Sequence, residues 1–193
     1  MLSRPRQPIV ADALALAREW CAGHVVDGAP ALGHACKIAL VLGRHVPRAA
    51  PELIAAGLLH DCPEYAPKDV DLDALLTTRL GAPVVQVVRG LHRERTALGR
   101  RMVPDMTTED NWTLCVSAAD KIVSLRSALR RADAPPGYWH PPERFVDPVV
   151  YFGVFHTAAA PHLPPGMAGE LARLVVRAEQ ASARARVDEG GLA

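Results

Sequence analysis

Apolar residues return along this chain at helical intervals, and runs that alternate apolar with polar between turn residues are hard to find. The pattern predicts an all-α protein. An Ala/Leu-rich amphipathic helix is expected over residues 9–26, a turn at "DGAP" (27–30), and a second helix from Gly33 to about Arg44. Pro47 and Pro51 bracket a short connection, and Pro51, suited to a first helical turn, opens a third helix that runs to His60-Asp61. "CPEYAPKDVD" (62–71) reads as a loop, and residues 72–94 as two helices broken at Gly81-Ala82-Pro83. A polar, arginine-bearing link over 96–109 precedes a long helix beginning at "NWTLCVSAADKIVSL". A Pro-rich segment (134–148) then leads into "VVYFGVFHTAAA" and a final helix from Pro165 to about Arg184. No internal repeat breaks the chain up, so residues 1–193 are expected to form a single domain.

Composition narrows the function classes. With 49% apolar residues, 22% charged residues and a formal net charge of +1, the chain is an ordinary globular protein, and nothing supports scaffold-wide binding of nucleic acid. Its longest apolar stretches, "KIALVL" and "ELIAAGLL", fall far short of the roughly 20 residues a membrane span needs. The start, "MLSRPRQPIV", lacks the apolar core of a signal peptide, so a cytoplasmic location and no membrane partner are expected. Cys21, Cys36, Cys62 and Cys115 stand singly without a C-x-x-C pair and read as reduced core residues. The oligomeric state is left open by the sequence.

What changes the picture is a set of polar groups embedded in apolar helices. His60 and Asp61 stand side by side where "LIAAGLL" stops, with Glu64 one turn on; His34 lies in "LGHACKIALVL" and Asp120 in "LCVSAADKIVSL". An aspartate inside an apolar helix is costly unless its charge is compensated, and a cation would compensate it. Two imidazoles and two carboxylates suit one divalent metal, the carboxylates favouring Mn2+, with Fe2+, Zn2+ or Mg2+ as alternatives. Taken singly, His34 reads first as a satisfied core histidine and Asp120 as the partner of a nearby arginine. The order H…HD…D, with helices filling the separations, is far more specific than any of its parts.

At these residues the sequence resembles the HD-domain metal-dependent phosphohydrolases, and among them the hydrolase domain of the RelA/SpoT homologues, including the small single-domain alarmone hydrolases. The resemblance is strongest over residues 10–155. "DGAPALGH" (27–34) is similar to the family turn S-G-E-P-Y-I-I-H that delivers the first metal histidine. "GLLHDCPEY" resembles the family's "ALLHD" followed by acids, "SAADKIVSLR" (117–126) its "KLADKLHNLR", and "LTTRLGAPVVQVVRGL" its helix-FG-x-x-V-helix connection. The implied fold is a compact all-helical HD bundle, and the implied metal ligands are His34, His60, Asp61 and Asp120.

The resemblance implies a metal-dependent hydrolase acting on a small-molecule nucleotide, with removal of pyrophosphate from the 3′ position of guanosine 3′,5′-bis(diphosphate) as the family reaction. Asp61 and Glu64 are the expected catalytic acids, Glu64 orienting or deprotonating the attacking water, although it also fits a solvated loop acid. Lys121, Ser124 and Arg126 follow Asp120 on one helix and are the candidate substrate contacts, with Tyr65 and Tyr151; core packing is the competing reading for Tyr151. The arginines of "HRERTALGRR" (92–101) suit phosphate by charge and fork geometry, or a solvated loop. Three positions depart from the family pattern: Tyr65 replaces its second acid, Ser124 its asparagine, and Val25-Val26 the basic pair that stacks on guanine. Another HD nucleotidase or phosphatase, acting on a monophosphate or dNTP, and a non-catalytic metal- or nucleotide-binding regulator are the alternatives.

Overall fold

The computed structural model describes residues 8–130 and 148–190, the side chains of 185–190 excepted. The expected Pro-rich segment lies, over 134–147, outside the described residues. Among the described residues the chain is helical but for one short hairpin, so the all-α class read from the apolar spacing is the one adopted. No helix among them is long and apolar enough to cross a membrane. Backbone contacts group into two compact units, Met1–His92 and Arg93–Ala193.

In the first unit, α1 (Pro8–Trp20) buries Ala13, Leu16, Ala17 and Trp20, the i, i+3, i+4, i+7 stripe of an amphipathic helix. It stops earlier than the expected residue 26. Gly23 takes a φ of +79°, and the next residues pair instead: β1 (Val25–Val26) runs antiparallel to β2 (Ala29–Pro30). Asp27 and Gly28 connect them with φ of 51° and 72°, the pair of left-handed residues that a tight Asp-Gly hairpin turn requires. The expected turn is therefore a hairpin whose second strand feeds straight into α2 (Ala31–His45).

The buried stripe of α2 is Ala31, His34, Ala35, Ile38, Val41 and Leu42, which puts His34 on the core face of its first turn. α3 (Pro51–Leu58) packs on α1 and α2. The α2–α3 approach is close at Gly57: a Cβ there would stand 2.6 Å from Leu42 Cδ1 and 3.4 Å from Ile38 Cγ2. Glycine lets the two helices meet at this level, directly before the His60-Asp61 pair. A short α4 (Cys62–Tyr65) follows, so the stretch read as a loop begins with a helical turn. α5 (Leu72–Leu80) is capped by Asp71 Oδ1, which accepts from Ala74 N at 3.1 Å, and ends at Gly81 with φ of +92°. α6 (Ala82–Gly99) then continues through what was expected to be the start of a polar link.

In the second unit a 3-10 turn at Met106–Thr108 precedes α7 (Asn111–Arg130), whose N-terminus is capped by Asp110 Oδ1 accepting from the amides of Trp112 (2.9 Å) and Thr113 (3.0 Å). α8 (Pro148–Ala159) and the long α9 (Pro165–Gly190) pack on each other, and both contact α7. The core here is built from Ile122, Leu125, Tyr151, Phe155, Met167 and Leu171, all nearly inaccessible. Burial of each large side chain is worth about 1.5–3 kcal/mol, which is what holds so apolar a helix as α8 in place.

Candidate metal centre

The helix that carries "LIAAGLLHD" ends for a local reason. Pro63 has no N–H to offer Leu59, so the α-helical ladder cannot run through it. Instead Cys62 N donates to Leu59 O at 2.9 Å and Glu64 N to Asp61 O at 3.0 Å, and Leu59-His60-Asp61 becomes the tight turn between α3 and α4. Asp61 occupies the N-cap position of α4 without making a side-chain capping bond. Its carboxylate points elsewhere.

It joins His34 and His60. The ligand atoms of these three residues all lie within 4.8 Å of one another, and the residues are 3%, 4% and 6% exposed in the order His34, His60, Asp61. The two imidazoles stand 5.3 Å apart, centroid to centroid, tilted by 37°. Hydrogen bonding sets the chemistry of His60. Nδ1 lies 3.1 Å from Gly57 O, and because a carbonyl only accepts, the ring proton belongs on Nδ1. In the neutral ring Nε2 is then the nitrogen with the lone pair.

That lone pair faces a carboxylate. Asp61 Oδ2 is 3.1 Å from His60 Nε2, at an angle that makes no hydrogen bond, and Nε2 is buried without a hydrogen-bond partner among the described residues. So close a contact is favourable only with a positive charge on it or beside it, a proton on Nε2 or a bound cation. A divalent cation fits the donor set: imidazole nitrogen and carboxylate oxygen, with the backbone carbonyl of Gly57 fixing the tautomer from behind. His60, Asp61 and Tyr65 also line a cavity of about 10 Å³ walled by Ala17, Trp20 and Cys62, room for about one water.

The thiols nearby are not part of the donor set. Burial, and after it the negative charge of Asp61, pushes the Cys21 thiol up to about 11 and the Cys62 thiol further still. Neither thiol belongs to the cluster of ligand atoms that His34, His60 and Asp61 form among the described residues. The Tyr65 ring stacks on His24, at 4.2 Å between centroids and 19° between planes, with His24 exposed to solvent.

The structure places the remaining expected residues as follows. Glu64 is exposed on α4, three residues beyond Asp61. Asp120, Ser124 and Arg126 are half-buried on α7 in the second unit, Arg126 in an ion pair with Glu170. Lys121 and Tyr151, expected as substrate contacts, are 3% and 2% exposed and point into a polar cluster built on Glu94. Glu94 Oε1 accepts from Lys121 Nζ and from Tyr151 OH, each at 2.5 Å, and Oε2 accepts from Ser117 Oγ at 2.7 Å. The Lys121 ammonium also donates to Ser117 Oγ at 2.8 Å and sits 4.2 Å from the Phe155 ring centroid. Burial, then the charge of Glu94, raises the Tyr151 phenol far above its usual range, which keeps it a donor.

Glu94 was not found by reading the sequence, because its immediate neighbours His92, Arg93, Arg95 and Thr96 are all polar. A signal existed. Val84, Val87, Val88 and Leu91 are the buried stripe of α6, and Glu94 is the next position on it, so its burial follows from helical register once α6 is extended past residue 94.

Comparison with known proteins supports the fold and adds a neighbour. No protein-family model matches the sequence. No curated protein matches it either. Among solved structures, one of a metazoan ortholog of SpoT that hydrolyses ppGpp and plays a role in starvation responses is similar to this chain at 16% identity and a TM-score of 0.65, over 91% of this chain and 98% of that one. At that identity the likeness is one of fold, and it agrees with the all-helical class read from the sequence.

Proposed function

We propose that this protein is a metal-dependent phosphohydrolase acting on a nucleotide, with the 3′-pyrophosphate of guanosine 3′,5′-bis(diphosphate) as the first substrate to test. The observation that carries the reading is the buried His34, His60 and Asp61 cluster, in which a bare imidazole nitrogen and a carboxylate are held 3.1 Å apart. The fold shared with a ppGpp-hydrolysing SpoT ortholog supports it, as does the extent of that match for treating residues 1–193 as one hydrolase domain.

In this reading His34, His60, Asp61 and Asp120 hold one divalent cation, Mn2+ first, with Fe2+, Zn2+ and Mg2+ as alternatives. A cation bound there polarises a phosphoryl oxygen and lowers the pKa of an adjacent water, supplying a nucleophile near neutral pH. The chain's own residues do the rest. The Gly57 carbonyl holds the proton on His60 Nδ1 and so keeps Nε2 available as a ligand atom. Glu64, exposed beside the turn, takes the proton from the attacking water. Ser124, Arg126 and Tyr65 are assigned to substrate. Lys121 and Tyr151, enclosed with Glu94, are assigned to holding α7 and α8 together, a change from the sequence reading made on the ground of their burial.

The test is a turnover screen of the Mn-loaded protein in which pyrophosphate and orthophosphate are detected separately. Pyrophosphate from guanosine 3′,5′-bis(diphosphate) is the expected product. Orthophosphate from a monophosphate or dNTP points to the other HD nucleotidases, and nucleotide binding with no turnover points to a regulator, the reading that Tyr65 in place of an acid favours.

A further inference from the structure

The helix that carries Asp120 hides its polar side. From Thr113 to Leu125 every residue of α7 is buried except Asp120 and Ser124, and the polar ones recur as Thr113, Ser117, Asp120, Lys121 and Ser124, the i, i+4, i+7, i+8, i+11 spacing of a single helical face. Ser117 and Lys121 on that stripe are bound to Glu94; Asp120 and Ser124 are the part of it that solvent reaches. We propose that Glu94 and Lys121 are positioning residues for Asp120, fixing the register and rotation of α7 so that Asp120 is presented as a metal ligand. The proposal rests on the phosphohydrolase reading, in which Asp120 belongs to the metal set, and adds to it two residues that touch neither metal nor substrate.

Three observations carry it. The cluster is contiguous with Asp120: Lys121 is its neighbour in the chain, Ser117 lies three residues before it, and the Tyr151 phenol, raised by burial first and then by Glu94, also feels the Asp120 carboxylate. The cluster also permits one arrangement only. Lys121 Nζ donates to Glu94 Oε1 at 2.5 Å and to Ser117 Oγ at 2.8 Å, while Ser117 Oγ donates to the other oxygen of Glu94 at 2.7 Å. A slip of α7 by one residue would turn the stripe by about 100° and break all three bonds at once. Finally, packing alone does not call for such a cluster. Apolar side chains of similar volume often hold helices together as well as a buried ion pair or better, and the best-attested service of buried polar groups is to fix register.

Register is what a ligand on α7 requires. Metal sites depend on the groups that orient their ligands, and losing such a group costs about 10- to 100-fold in metal affinity. For His60 the orienting group is the Gly57 carbonyl, which bonds the ring directly. For Asp120 the orienting force runs through the helix itself, from the Glu94 end of the stripe to the half-buried end.

The experiment measures the Mn2+ dissociation constant of the full-length protein by titration, together with the electron paramagnetic resonance spectrum of the bound ion, for the wild type, Glu94→Leu/Lys121→Met, Tyr151→Phe and Asp120→Asn. Urea unfolding of each metal-free protein runs beside it. The double variant leaves no member of the ion pair buried alone and should unfold near the wild-type midpoint, yet bind Mn2+ at least about tenfold more weakly and with an altered spectrum. Wild-type affinity and spectrum in a folded double variant overturn the proposal, because the cluster then only packs helices. Where the double variant does not fold, Tyr151→Phe decides: it keeps the ring and the ion pair, takes one donor from Glu94, and should weaken Mn2+ binding by about threefold, an unchanged constant overturning the proposal. The two failures separate. Asp120→Asn that binds Mn2+ as the wild type does takes Asp120 out of the metal set, and the positioning role falls with it; weakened binding by Asp120→Asn beside wild-type binding by the double variant removes the positioning role alone.

Discussion

Two buried polar clusters among the described residues are opposites. Around Glu94 every charge is answered: two donors on one carboxylate oxygen, a third on the other, an ammonium over three aromatic rings. Around His60, by contrast, the buried Nε2 has no hydrogen-bond partner among the described residues, although Asp61 Oδ2 lies 3.1 Å away. The residues of both clusters are buried. The difference teaches where function can lie: a buried network that satisfies itself stabilises one packing of helices, whereas a buried imidazole nitrogen with no hydrogen-bond partner leaves a ligand atom on offer.

The comparison breaks most easily at the satisfied cluster. Lys121→Met leaves Glu94 buried and uncompensated and should destabilise the protein by about 3–5 kcal/mol, measured by urea unfolding. Replacing Glu94 with Leu in the same protein should recover most of that loss. His60→Leu is the contrasting case: it removes one hydrogen bond to Gly57 and an acceptor that repels Asp61, so the metal-free protein should change by no more than about 1 kcal/mol. Equal costs at the two sites would erase the distinction.

Catalysis comes next in size. Glu64→Gln preserves shape and removes the base, so turnover should fall roughly 10²-fold or more with metal content unchanged. Undiminished turnover would return Glu64 to an exposed acid of no consequence. Metal linkage is of similar magnitude: Mn2+ at 100 times its dissociation constant should stabilise the wild type by about 2.7 kcal/mol and His60→Leu not at all, read from the shift of the urea midpoint.

How much of this could be read in the chain depends on contrast. His34, His60 and Asp61 stood out because each interrupts a run of Leu, Ala, Ile or Val, where a polar side chain is costly and conspicuous. Glu94 was invisible because charged neighbours surround it in the chain, and only the helix register separates the buried acid from the exposed arginines. The hairpin escaped for another reason. Two-residue strands carry no alternation to detect, and "DGAP" signals a turn without saying what flanks it. Likewise the stop of α3 at Leu58 is set by Pro63, five residues on, through a missing donor that periodicity does not register.

The smallest expected effect concerns specificity. Ser124→Asn restores an amide donor and acceptor and should improve kcat/KM on guanosine 3′,5′-bis(diphosphate) by about 1 kcal/mol, roughly fivefold, if that nucleotide is the substrate. A loss of activity instead would mean that ribose and phosphate are held through other residues.

The most direct test of the His34, His60 and Asp61 cluster as a metal centre is the metal content of the purified protein after loading with Mn2+ and removal of excess, measured by elemental analysis for the wild type and His60→Leu. The account predicts about one metal ion per wild-type chain and none retained by His60→Leu. A folded wild-type protein that retains no metal and still hydrolyses phosphoesters would contradict it.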